Sequence, residues 1–111
     1  MRFFNPTPFN YAKACEIIST SKNPGFVPIS NSVALEWDGT RHHLVLYKTR
    51  IITINPDNTH TIRTGGYRTR TTQERLSRYG YHIIKVRKGE WFVSLPQGDI
   101  PFEEDMTLPA A

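Results

Sequence analysis

The sequence predicts an α+β fold: an antiparallel sheet of about six strands, made by a β-meander, a helix and a β-hairpin, and covered by one or two short helices. Three observations carry this expectation. Apolar residues recur at helical spacing in two short stretches only. Elsewhere the period is two, and the periodic runs are separated by residues that favour turns. The length of 111 residues suits one core, so residues 1–111 are expected to form a single domain.

Residues 1–10 read as an irregular lead-in. Tyr11, Ala14, Cys15 and Ile18 then stand at i, i+3, i+4 and i+7, the pattern of an amphipathic helix. Asn10 is its candidate N-cap, and Asn23-Pro24-Gly25 its stop, because proline disfavours helical geometry in the residue before it. A linker runs from there to about Ser30.

Val33, Leu35 and Trp37 alternate with Ala34 and Glu36, as in a strand with one buried face. Asp38-Gly39 suits the two positive-φ positions of a primed turn, so Arg41 to Tyr47 should return antiparallel. Ile51 to Asn55 and Thr59 to Thr64, rich in β-branched residues, flank the turn-forming Pro56-Asp57-Asn58, which completes a four-stranded meander.

After Gly65-Gly66, Thr71-Thr72-Gln73-Glu74 reads as a capping box in which the Thr71 hydroxyl accepts from the Glu74 amide. Gly80 stands where a left-handed C-terminal cap would sit, Arg75 and Arg78 face the negative end of the helix dipole, and Leu76 and Tyr79 face inward. His82 to Arg87 and Glu90 to Leu95 form a hairpin through Lys88-Gly89, and Pro96-Gln97-Gly98-Asp99 turns the chain towards Ile100-Pro101-Phe102. Residues 103–111 are expected to be a loose acidic tail.

Composition excludes several classes. Hydrophobic residues at 38% and charged residues at 22% are ordinary globular usage. No run approaches the apolar length needed to span a bilayer, and Pro6 and Pro8 interrupt the N-terminus before a signal-peptide core develops, so no membrane association and a cytoplasmic location are expected. Cys15 is the one cysteine; it cannot form an internal disulfide, and on the apolar stripe of the first helix it reads as a small buried hydrophobe. His42 and His43 are adjacent, so in a strand they point to opposite faces. A dyad with His60 or His82 would need tertiary structure, and no metal is expected. The carboxylates Glu103-Glu104-Asp105 lie in the tail without fixed acid and base roles, and Gly65-Gly66 is too short for a P-loop. The chain therefore reads as non-enzymatic, with no small-molecule cofactor. Trp37 and Trp91, at alternating strand positions, read as core.

The run Leu46-Tyr47-Lys48-Thr49-Arg50-Ile51-Ile52-Thr53-Ile54, continued by Thr64-Gly65-Gly66-Tyr67 and Thr71-Thr72-Gln73-Glu74-Arg75-Leu76, resembles a family of small proteins encoded by bacteriophages and mobile elements. In that family a strand pair leads to a Gly-Gly-aromatic turn and a Thr-Thr-x-x-Arg helix start. Asn31-Ser32, Gly89-Glu90-Trp91-Phe92-Val93 and Ile100-Pro101-Phe102 share the likeness, which covers most of the chain from Asn31 to Phe102. The resemblance implies phage origin and fold, and places the chain in the host cytoplasm; it brings no functional residues with it.

Charge carries the functional reading. Of 14 Lys and Arg residues, 11 lie between Arg41 and Lys88, opposed there by Asp57 and Glu74 alone, whereas Glu90, Asp99, Glu103, Glu104 and Asp105 follow Lys88 with no further cation. This asymmetry suits either a polyanion-binding face or an acidic tail folded back onto a basic segment. Arg63, Tyr67, Arg68, Arg70, Thr71, Thr72, Arg75 and Arg78 form the candidate nucleic-acid surface: guanidinium groups fork onto phosphate, threonine hydroxyls and helix-start amides add donors, and Tyr67 or Tyr81 can stack on an unpaired base. A solvated face without a ligand explains the same residues and weighs slightly more on sequence alone. The expected partner is DNA or RNA. The alternative is a protein-interaction module that binds and inhibits or modulates a host enzyme or defence complex.

Overall fold

A computed structural model describes residues 9–22 and 25–109. Two sheets and two helices share one core. Helix α1 (Tyr11–Thr20) starts where Asn10 Oδ1 accepts from the Lys13 amide at 2.7 Å, the expected N-cap. It ends at Thr20; the expected stop at Asn23 and Pro24 lies outside the described residues. Its buried side chains are Ala14, Ile17 and Ile18. Cys15, expected to be buried, is only half covered and faces His42.

The first sheet contains β1 (Phe26–Pro28), β2 (Val33–Trp37), β3 (His42–Leu46), β4 (Thr49–Ile54), β5 (Thr59–Ile62) and β9 (Met106–Pro109), antiparallel throughout and in the order β1-β2-β3-β4-β5-β9. The meander from β2 to β5 is the expected one. The chain from Gly25 to Ser30 is not wholly linker: Phe26–Pro28 pairs with Ala34–Glu36, with Pro28 tolerated because the strand lies at an edge. The C-terminal segment is not a loose tail either. Leu108 pairs with His60 and is buried, so a short apolar-polar alternation in Met106–Pro109 closes the far edge of the sheet.

The remaining strands, β6 (Ile83–Arg87), β7 (Glu90–Leu95) and β8 (Gly98–Pro101), form a separate antiparallel sheet. Lys88 (φ 52°) and Gly89 (φ 80°) occupy the left-handed positions of its tight turn, the geometry expected of Asp38-Gly39. Asp38 has no positive φ. It closes a four-residue connection by accepting from the amides of Thr40 at 2.8 Å and Arg41 at 2.7 Å, an Asx-type turn.

Helix α2 (Arg70–Tyr79) is capped by Thr69, not Thr71: the Thr69 hydroxyl accepts from the Thr72 amide. The cap falls two residues early, and Glu74, which the expected capping box would engage, pairs with Arg75 and Arg78 instead. Gly80 is extended, at φ −92°, rather than left-handed. Its glycine serves a close approach, since a Cβ there would meet the Leu76 carbonyl oxygen at 2.8 Å.

Both helices cover one face of the large sheet, where Leu35, Leu44, Ile52, Ile54, Leu76 and Tyr79 are fully buried. Trp91 of β7 is buried and Trp37 is packed against the core. Burial of this apolar surface is the main stabilising term. His42 and His60 also point into this core. Burial holds both imidazoles at a pKa of about 4; they are neutral at pH 7. Among the described residues no helix is long and apolar enough to cross a membrane.

Candidate nucleic-acid interface

The sequence-predicted residues divide among three environments. Arg63 follows β5 and lies across the open face of the large sheet, where Nη1 donates to Thr53 Oγ1 at 3.0 Å and Nε pairs with Asp105. Arg75 and Arg78 both pair with Glu74 on α2, and Arg75 also donates to Ser32 Oγ at 3.5 Å. Arg68 stands 3.6 Å from Glu104 and lies over the rings of Trp91 at 5.7 Å and Phe102 at 5.3 Å, so it docks the Gly-Gly loop onto the smaller sheet. Four of the five arginines of the predicted set thus have a carboxylate partner within the chain. Arg70 is exposed and has none among the described residues. Of the two arrangements the charge asymmetry suited, the acidic segment folded onto the basic one is present: Asp105 meets Arg63, Glu104 meets Arg68, and Asp99 meets Lys85 and Arg87.

Tyr67, Thr71 and Thr72 come together in a cleft of about 500 Å³. One wall is the β3–β4 turn, with Tyr47 and Lys48; the other is the Gly-Gly loop and the start of α2, with Tyr67, Thr69 and Thr71. Leu46, Ile51 and Thr72 are buried beneath it. The two tyrosines are 72% and 63% exposed, although burying an aromatic ring is ordinarily favourable. No acidic side chain lines the cleft; Lys48 does, and Arg70 lies between two lining threonines. The cleft thus combines aromatic walls, hydroxyl groups and positive charge. Tyr81, the other stacking candidate, is half-buried with its ring 5.3 Å from His60.

The sequence alone marks neither Tyr47 nor Lys48 as a site residue, since Tyr47 reads there as the end of a strand. It is the first residue of a two-residue turn at φ 56°, held by its amide donating to the Ser32 carbonyl at 2.8 Å. A non-glycine residue in the left-handed region stores of order 1 kcal/mol. The available signal was an aromatic-Lys pair in the shortest gap between two β-rich runs. The Gly-Gly loop is likewise constrained: Gly65 (φ 64°) and Gly66 (φ 90°) are both left-handed, and a Cβ on Gly65 would stand 2.6 Å from Thr49 Cγ2. These glycines let the chain pass close to β4 and aim Tyr67 outward.

On the opposite face of the sheet, His43 Nε2 lies 2.7 Å from Asp38 Oδ2 and His43 Nδ1 lies 2.9 Å from Thr53 Oγ1. The Arg41 amide first, then His43 and the Thr40 amide, hold the Asp38 carboxyl well below the usual range. His43 Nδ1 and Arg63 both point at the Thr53 hydroxyl, so this network satisfies polar groups within the sheet. Among the described residues no three His, Cys, Asp or Glu side chains are grouped to hold a metal ion.

A model of the Kyanoviridae Gp96 protein family matches residues 12–109. That range takes in both walls of the cleft and β9, and it agrees with the phage-family resemblance carried by the Gly-Gly-aromatic and Thr-Thr-x-x-Arg motifs. No curated protein and no solved structure matches the chain.

Proposed function

The chain belongs to the Kyanoviridae Gp96 family of phage proteins, and from that premise we propose that it is a non-enzymatic accessory protein binding single-stranded nucleic acid in the host cytoplasm. The observation that carries this reading is the pair of exposed tyrosines, Tyr47 and Tyr67, facing one cleft with threonine hydroxyls and Lys48, which has no carboxylate partner among the described residues, at its rim. An unpaired base offers a π-face to either ring, and such stacking tolerates any sequence. Phosphates reach Lys48, Arg70 and the Thr71 hydroxyl. A duplex keeps its bases stacked on one another and has nothing to place between the tyrosines, so single strands are the preferred form.

The test is a fluorescence-anisotropy titration with labelled single-stranded and duplex oligonucleotides at two salt concentrations. Single strands are expected to bind more tightly than duplex, and Tyr67→Ala and Arg70→Ala are each expected to weaken them. Absence of single-strand binding at low salt by folded protein defeats the reading. It would turn attention to a host protein as partner, for which the exposed Ile83 on β6 offers an apolar contact.

A further inference from the structure

The Gly-Gly loop holds a carboxylate of the chain itself, that of Glu104. Glu104 Oε1 accepts from the Thr64 amide at 2.7 Å and the Gly65 amide at 3.2 Å, while Oε2 accepts from the Thr64 hydroxyl at 2.7 Å. Arg68 Nη2 stands 3.6 Å from the same Oε2. Two successive backbone amides beside left-handed glycines, a hydroxyl and a guanidinium make the kind of concavity that holds phosphate oxygens. Thr64 also lines the tyrosine cleft, so the two sites are contiguous.

We infer that the Thr64-Gly65 turn with Arg68 is a phosphate subsite which Glu104 occupies in place of a ligand, and from which a phosphate group displaces it. The chemistry is shared: a carboxylate and a phosphate each present anionic oxygens to the same donors. The geometry makes displacement a side-chain event. On either side of Glu104 the backbone is held independently, by the Phe102 amide donating to Trp91 at 2.9 Å and the Asp105 amide donating to Ile62 at 2.9 Å. The Glu104 side chain is 37% exposed and can rotate into water while β9 stays paired. Arg68, fixed over Trp91 and Phe102, remains in place to receive the incoming anion. Identifying the phosphate as part of a strand rests on the single-strand reading above; the subsite itself does not.

The experiment uses full-length Glu104→Gln and Glu104→Ala. Amide NMR follows Thr64 and Gly65 during titration with inorganic phosphate, and anisotropy follows oligothymidylate. If Glu104 fills the site about nine-tenths of the time, removing its charge tightens phosphate-dependent binding about tenfold. Phosphate should then shift the Thr64 and Gly65 amides at lower concentration in both variants than in the wild type, and Arg68→Gln added to Glu104→Gln should cancel the gain. Phosphate that leaves these amides unmoved in a folded variant overturns the inference, as does weaker oligonucleotide binding by folded Glu104→Gln. Failure of both variants to fold also overturns it, because Glu104 is then a structural tether. If phosphate moves the two amides while oligothymidylate binds none of the proteins, the subsite stands for free phosphate and the single-strand reading falls.

Discussion

Tyr47→Gly separates the roles of binding and folding at the cleft. Tyr47 sits at φ 56° in the β3–β4 turn with 72% of its surface exposed, so its ring adds little to the core while its backbone is strained. Glycine relieves left-handed strain of about 1–2 kcal/mol and gives back about 0.4–1 kcal/mol through the freer unfolded chain. The net effect is a gain of about 0–1.5 kcal/mol. For a domain of this size about 1 kcal/mol moves the melting temperature by roughly 4 °C. Loss of one stacking ring removes about 1–3 kcal/mol of single-strand affinity, which is roughly 5- to 150-fold. Calorimetry and anisotropy on the same preparation check both numbers. A melting temperature that falls shows that Tyr47 supports the fold; unchanged affinity shows that it does not touch the ligand. Either result refutes the reasoning.

The remaining predictions concern the frame that holds the cleft. Gly65→Ala combines a positive φ with a Cβ 2.6 Å from Thr49 Cγ2, and should cost about 2 kcal/mol or more by denaturant titration; a neutral result would remove the close approach from the account. Leu108→Ala should cost about 2–4 kcal/mol because Leu108, in β9, is buried in the core, whereas a loose tail would give no change. His42 and His60 have folded pKa values of about 4, depressed chiefly by burial from an unfolded 6.5. Between these limits the unfolded chain binds protons that the folded one refuses, so stability is complete above pH 6.5 and is lost as pH falls towards 4, by up to about 3 kcal/mol for each group. Denaturant midpoints at pH 7.5, 5.5 and 4 measure this. His60→Phe should flatten the slope, and a slope unchanged in that variant would assign the acid sensitivity elsewhere.

How far the fold was legible follows from which forces act locally. The meander could be read because alternation and turn composition are properties of adjacent residues, and Asn10 could be read as a cap because its partner, Lys13, is three residues away. β9 could not, because pairing of Thr61 with Thr107 leaves no trace in either segment alone, and Glu103-Glu104-Asp105 masks a four-residue strand. Thr69 and Thr71 are both threonines that could cap, and only the structure shows that Thr69 takes the Thr72 amide while Glu74 pairs with Arg75 and Arg78. In the candidate site the sequence could mark residue types but not their partners. Tyr67, Thr71 and Thr72 meet in the cleft, while Arg63, Arg68, Arg75 and Arg78 are held by Asp105, Glu104 and Glu74.

That pairing changes which force can drive association. A net charge of +4 with eleven clustered cations invites a purely electrostatic account, in which each phosphate neutralised steepens the salt dependence. An arginine already facing a carboxylate contributes little to that term until the carboxylate leaves, since the pair is neutral at a distance. On the proposed single-strand reading, with Lys48 and Arg70 as the cations at the cleft, counterion release would supply only a shallow salt slope in the resting protein, and the tyrosines would carry most of the affinity. The slope then becomes a reporter of Glu104: vacating the Thr64-Gly65 turn exposes Arg68 and adds one phosphate contact, about one unit of slope in log affinity against log salt. On the proposed single-strand reading, charge alone would give weak and nonspecific binding, and affinity would rise where an unpaired base and a phosphate arrive together.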